Sequence, residues 1–210
     1  MEAVLAEFGK EPDTTNLSKY FDNIRVKTEA KEIFEGARKG WRMNDYYKVR
    51  MLLESEEEVA VSFDGDMFIC SDNFYEIDQL TKRFGLCLPV NPRYTVELDA
   101  RIGADGDVCK SYAHAVNMSP IAFHTKNDKA RKLLERYCQF MEENPRRGTL
   151  VMWRAIWATG FMPCLLPPQW CVCREHIGIG DEIILHVGHD EVKEHYLYSN
   201  DGSNWELRTS

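Results

Sequence analysis

The stretch Val59-Ala60-Val61-Ser62-Phe63-Asp64-Gly65-Asp66-Met67-Phe68-Ile69-Cys70 sets two carboxylates one residue apart between two apolar runs. A short apolar run rich in valine reads as a buried strand, and the carboxyl ends of strands are where α/β sheets bind ligands. Asp64 and Asp66 point the same way at such a strand end. Together they offer oxygen ligands to magnesium or manganese, hard ions that bring a substrate phosphate with them. The same letters also read as a hairpin, because Asp-Gly between apolar runs favours a tight turn that leaves both carboxylates in solvent. What the rest of the chain places beside them decides between the two.

Working outward, the hydrophobic periodicity predicts strands at residues 3–6, 24–26, 59–63, 86–90, 118–123 and 183–186. It predicts helices at 29–36, 44–53, 73–83, 127–143 and 150–159. The helix at 127–143 turns Leu133, Leu134, Tyr137 and Phe140 inward, and residues 196–198 and 205–207 close the chain as a hairpin. Residues 91–113, rich in Pro, Gly and Asp, read as a long irregular segment. Strands separated by helices imply an α/β fold with a mixed, mainly parallel sheet flanked by helices. With 210 residues, 44% of them hydrophobic, and no repeat or linker, a single domain over 1–210 is expected.

The net charge of −8 excludes a general nucleic-acid or anionic-membrane binder. Seven cysteines at 70, 87, 109, 138, 164, 171 and 173 lack zinc-knuckle spacing and read as reduced core thiols of a cytosolic protein. The first residues lack a basic and then apolar leader, and no stretch approaches a membrane span, so a cytoplasmic protein is expected.

His186 ends the apolar run Ile183-Ile184-Leu185, with Gly188 and His189 turning the backbone after it. An imidazole beside two carboxylates suits manganese better than magnesium, and Lys193 follows within reach of a phosphate oxygen. The plainer reading of His186 is a partly buried histidine in an ordinary loop.

The order of these motifs resembles nucleotide-sugar glycosyltransferases of the GT-A fold, of the glycogenin and bacterial galactosyltransferase type. Asp45-Tyr46-Tyr47-Lys48-Val49 resembles the family's helix before the Asp-x-Asp strand end, here Phe63-Asp64-Gly65-Asp66-Met67. Asn117-Met118-Ser119-Pro120-Ile121 and Leu166-Pro167-Pro168-Gln169-Trp170 follow in the family's order. His186-Val187-Gly188 with Lys193 comes last, and the resemblance spans roughly residues 40–195. The chain is also similar to soluble glycosyltransferase domains of large algal (chlorella) viruses, which would place it in host cytoplasm. It departs from the family at Leu150-Val151-Met152-Trp153-Arg154-Ala155, where an Asp-Gln pair is usual, and in its shorter spacing after His186.

The resemblance implies a UDP-sugar donor, Mn2+ or Mg2+ as cofactor, and a saccharide or glycan acceptor, with further domains after Ser210 allowed. Asp64, Asp66 and His186 would hold the metal, Lys48 and Lys193 would contact the diphosphate, Asn117 would line the sugar pocket, and Phe8 would lie near the base. The nucleotide part would occupy about residues 1–70 and the sugar and acceptor part about 71–210. It also implies transfer with retention. Asp107, with Asp99 and Asp105, could instead bind sugar hydroxyls or serve as a base, or belong to a solvated Gly-Asp turn. Trp153, Trp157 and Trp170 could stack on sugars or fill the core. Two rival functions use the same aspartates: a haloacid-dehalogenase-type phosphatase with Asp64 as nucleophile, and a non-catalytic sugar- or calcium-binding module. The first lacks its downstream acidic pair, and the second lacks calcium-loop spacing.

Overall fold

The computed structural model describes residues 2–6, 19, 23–27, 34, 39–95, 114–143, 148–174, 176–198 and 205–207. Phe8, Asp99, Asp105, Asp107 and Cys109 lie outside them, as does the helix expected at 29–36 apart from the buried Phe34.

In chain order the elements are β1 (Glu2–Ala6), β2 (Asn23–Lys27), α1 (Lys39–Leu53), β3 (Val59–Ser62), β4 (Met67–Ile69) and α2 (Glu76–Phe84). There follow β5 (Leu86–Thr95), β6 (His114–Val116), β7 (Ile121–His124), α3 (Asp128–Glu143), α4 (Gly148–Thr159) and β8 (Cys164–Leu166). The chain ends with β9 (Ile184–His186), α5 (Asp190–His195), β10 (Tyr196–Tyr198) and β11 (Trp205–Leu207).

Leu86, Cys87 and Leu88 in β5 are all fully buried, which a strand with neighbours on both edges and both faces requires. The first half of β5 pairs antiparallel with β7 and parallel with β8, and its far end pairs antiparallel with β6. β3 adds to β7 antiparallel, completing a five-stranded mixed sheet. β1 and β2 form a separate parallel pair, and β10 and β11 the expected antiparallel hairpin. Parallel pairing between the named strands is confined to β1–β2 and β5–β8, and Val172 adds a single parallel bridge to Leu185 of β9.

Helices cover the sheet for readable reasons. α3 buries Ala130, Leu133, Leu134, Tyr137, Cys138, Phe140 and Met141, one continuous stripe at helical spacing. Asn127 caps it: the Ala130 N–H donates to Asn127 Oδ1 at 3.0 Å. Gly85 ends α2 at φ 84°, and a Cβ there would lie 2.3 Å from Asn127 Nδ2, so glycine serves both the left-handed turn and the close approach. α1, α3 and α4 share one apolar cluster with Leu86, Leu88, Ile121 and Phe123 of the sheet. A second cluster joins Ile77, Cys87, Ala122, Leu166, Trp170, Ile183 and Ile184, and a third joins Val172, Leu185, Val192 and Tyr196. β9 therefore lies between two cores. Burying a leucine or isoleucine of this kind stabilises the fold by about 1.5–3 kcal/mol.

Two expectations need correction. Asp64-Gly65-Asp66 does form a turn, with the Met67 N–H donating to the Asp64 carbonyl at 3.2 Å, but it does not make a hairpin. β3 pairs with β7 and β4 pairs with β9, so the strands on either side part into different sheets. Residues 91–95, expected to be irregular, continue β5 through Asn91 and Pro92. The ladder to β6 shifts register between Val90 and Thr95, which accommodates a proline that has no N–H to give.

The six described cysteines are free thiols. Burial raises the Cys87 and Cys138 thiols to about 12 and Cys70 to about 11, as inert core groups require. Among the described residues no helix is long and apolar enough to cross a membrane.

Candidate metal centre

Two strand registers assemble the site. β3 lies on β7 with Ser62 opposite Ile121, which brings Ser119 beneath the turn that follows. The Asp64 N–H donates to Ser119 Oγ at 2.8 Å, and Ser119 is buried, so the backbone at Asp64 is held fast. β4 lies on β9 with Met67 opposite His186. Asp66, the residue before Met67, therefore reaches the imidazole: His186 Nε2 is 3.1 Å from Asp66 Oδ1.

One ligand atom from each of Asp64, Asp66 and His186 lies within 4.8 Å of the others. Ligands of magnesium or manganese at about 2.1 Å lie at most about 4.2 Å apart, so side-chain shifts of well under about an ångström would close the set on an ion. Two carboxylate oxygens and an imidazole nitrogen form a donor set that fits manganese, with magnesium the harder alternative. Gly188 makes room for it. A Cβ there would lie 1.8 Å from Asp66 Oδ2, so a side chain at 188 and Asp66 in its present place exclude each other.

Lys48 comes in from α1, buried to 8% exposure, and its ammonium is ion-paired with Asp64 Oδ1. It also lies 3.9 Å from Asp45 Oδ1 one turn earlier on the helix. Asp45 is itself anchored, since its Oδ2 accepts from the Gly148 N–H at 3.2 Å where α4 begins. His189 packs its ring edge-on against His186, with centroids 4.6 Å apart. Burial, then the nearby His186 and Arg174, hold the His189 imidazole below its ordinary pKa, so it is neutral at neutral pH. Arg174 is tied to Glu191 at 2.7 Å.

Cys171 is buried close enough to feel Asp64 and Lys48. A hydrogen bond with Cys173, burial, and the Asp64 charge push its thiol well up, which leaves it no role as a thiolate.

Asn117 presents a spare donor. Its backbone N–H is given to Pro89, at 2.8 Å, and its Oδ1 accepts from Asn91 Nδ2 at 3.1 Å. Its buried Nδ2 has no hydrogen-bond partner among the described residues, an arrangement that costs stability unless a ligand or water uses it.

The structure thus brings Asp64, Asp66, His186 and Lys48 together. It does not bring Lys193 into that cluster: Lys193 is exposed on α5 and pairs with Asp190 at 3.6 Å. Phe8 and Asp107 lie outside the described residues. Trp153 and Trp170 are buried, the latter against Phe74, so neither offers a face for sugar stacking, whereas Trp157 is partly exposed. Sequence reasoning missed the role of Ser119, which depends on the β3–β7 register, and gave His189 only a turn, although it stands three residues after His186.

No protein-family model matches the chain, and no curated protein matches it. Among solved structures the chain is similar to the crystal structure of mouse xyloside xylosyltransferase 1 in its apo form. The identity is 15% and the TM-score 0.49, over 88% of this chain and 84% of that one.

Proposed function

We propose that the protein is a metal-dependent glycosyltransferase of the GT-A type that moves a hexose-type sugar from a UDP-sugar to a saccharide or glycan acceptor. The convergence of Asp64, Asp66 and His186, from two separate strand pairs, is the observation that carries this reading. A divalent ion held there would neutralise charge developing on a departing diphosphate, the main electrostatic demand of this reaction.

The chain's own residues then divide the work. Ser119 holds the backbone at Asp64 and Asp66 packs against Gly188, which narrows the movement either carboxylate would need to meet a ligand. Lys48 supplies a buried positive charge at the same place, and its strong desolvation makes that charge more effective than one in water. Asn117 Nδ2 is the donor we assign to the sugar hydroxyls. As the bond from the sugar carbon to the phosphate oxygen breaks, the acceptor hydroxyl bonds to that carbon. We assign its proton to the departing phosphate oxygen, which gives retention of configuration and needs no side-chain base. If transfer instead inverts, Asp107 is the base we assign, and proton NMR of the first product decides between them. We place the nucleotide-binding part at about residues 1–70, with Phe8 near the base, and the sugar and acceptor part at about 71–210. A phosphatase with Asp64 as nucleophile is the weaker reading, because it leaves the imidazole beside Asp66 without a task.

A thermal-shift screen of nucleotide sugars with and without Mn2+ tests the reading, since ligand-linked stabilisation grows with concentration over Kd. UDP-sugars should raise Tm with Mn2+ and much less with chelator. A screen in which no nucleotide sugar shifts Tm would overturn it.

A further inference from the structure

We propose that Lys48 is an internal counter-ion that opposes a bare divalent ion at Asp64 and yields it when a diphosphate binds. The proposal rests on the metal reading above and concerns how that site is filled.

Three observations carry it. Lys48 is buried to 8% exposure, yet its ammonium sits on Asp64 Oδ1, an oxygen of the proposed metal ligand. An ammonium and a dication cannot both crowd one carboxylate in a poorly solvated site without strong repulsion, so a metal arriving alone must displace Lys48 or be weakened by it. The second acceptor, Asp45, is 3.9 Å from the ammonium and is anchored by the Gly148 N–H, so it keeps Lys48 at the site after Asp64 is given up.

The third is donor arithmetic. An ammonium has three N–H donors, and Asp64 and Asp45 are the polar partners of Lys48 among the described residues. A donor remains for a phosphate oxygen, and a second is freed when the metal takes Asp64. A diphosphate therefore gives Lys48 a new partner in the same event that supplies ligands to the metal. Metal and nucleotide must then favour each other's binding, and reciprocally.

The test is calorimetric titration of Mn2+ into the protein, alone and with saturating UDP, and of UDP into Mn2+-saturated protein. Lys48→Met should bind Mn2+ alone about tenfold more tightly than wild type, because a neighbouring positive charge has gone. It should bind UDP, with Mn2+ present, about tenfold more weakly. Lys48→Arg, which keeps the charge, should bind bare Mn2+ as weakly as wild type. Equal or weaker bare-Mn2+ binding by Lys48→Met overturns the proposal. Should Lys48→Met fail to fold by circular dichroism, Asp45→Asn decides. It keeps the acceptor for Gly148 but leaves the ammonium on Asp64, so bare-Mn2+ affinity should fall at least about threefold and recover with UDP. Unchanged bare-Mn2+ affinity in that variant overturns the proposal. Failure of every variant and the wild type to bind Mn2+, even with UDP, removes the metal reading itself.

Discussion

Gly188→Ala isolates Asp66 without touching a carboxylate. The new Cβ would start 1.8 Å from Asp66 Oδ2 and 2.8 Å from its Cγ. Ordinary contact begins at 3.4 Å, so the carboxylate oxygen must move by about 1.6 Å. It can do so, because the Asp66 side chain is half exposed and the pair it forms with His186 faces solvent. The stability cost is therefore that of one partly exposed side-chain contact, about 0–1 kcal/mol. The functional cost is larger, since a misplacement of about 1 Å at a reacting centre lowers rate by about a hundredfold. We expect a melting temperature within a few degrees of wild type, Mn2+ affinity in the presence of UDP reduced at least about tenfold, and transfer reduced about a hundredfold. Calorimetry with Mn2+ and a donor-consumption assay read these separately. Wild-type Mn2+ affinity in a folded Gly188→Ala protein would refute the assignment of Asp66 as a ligand held at this spot.

Two further outcomes follow from neighbouring geometry. Asp66→Asn should lower transfer at least about a hundredfold while leaving urea stability within about 1 kcal/mol of wild type, and full activity in the folded variant would remove the clamp. Glu182 sets an acid limb: burial acts to raise its carboxyl, but hydrogen bonds from Tyr196 Oη at 2.5 Å and from the Ile179 and Gly180 N–H groups at 2.9 Å hold it below the ordinary value. A carboxylate depressed on folding adds stability above its unfolded pKa of 4.5, and that stability is lost as pH falls through the lower folded value. Glu182→Gln should thus melt lower than wild type at pH 7 and lose less on acidification below about pH 4.5; acid limbs of equal steepness would contradict this.

The elements most legible in the sequence are those whose pattern is local. The stripe Leu133, Leu134, Tyr137, Phe140 is enough to place α3, and the apolar runs at 59–62 and 184–186 are enough to place the strands that carry the site. What was not legible depends on pairing. Nothing near Asp64 announces that β3 leaves for β7 while β4 leaves for β9, yet that divergence turns a hairpin-like turn into a cluster with His186. β6 and β8 are three residues each, too short to show a period, and they exist because β5 has edges to pair. Lys48 shows the same limit from the other side. Its helix is evident from Tyr47, Val49, Met51 and Leu52, of which Val49 and Leu52 are buried, but its ion pair with Asp64 requires α1 to pack on β3.

The central claim, that Asp64, Asp66 and His186 hold a divalent ion for a diphosphate, meets its most direct test in UDP binding measured by calorimetry with Mn2+ and then with excess EDTA. The account predicts binding at least about tenfold tighter with Mn2+, and loss of that difference in Asp66→Asn. Equal UDP affinity in Mn2+ and in EDTA would contradict it.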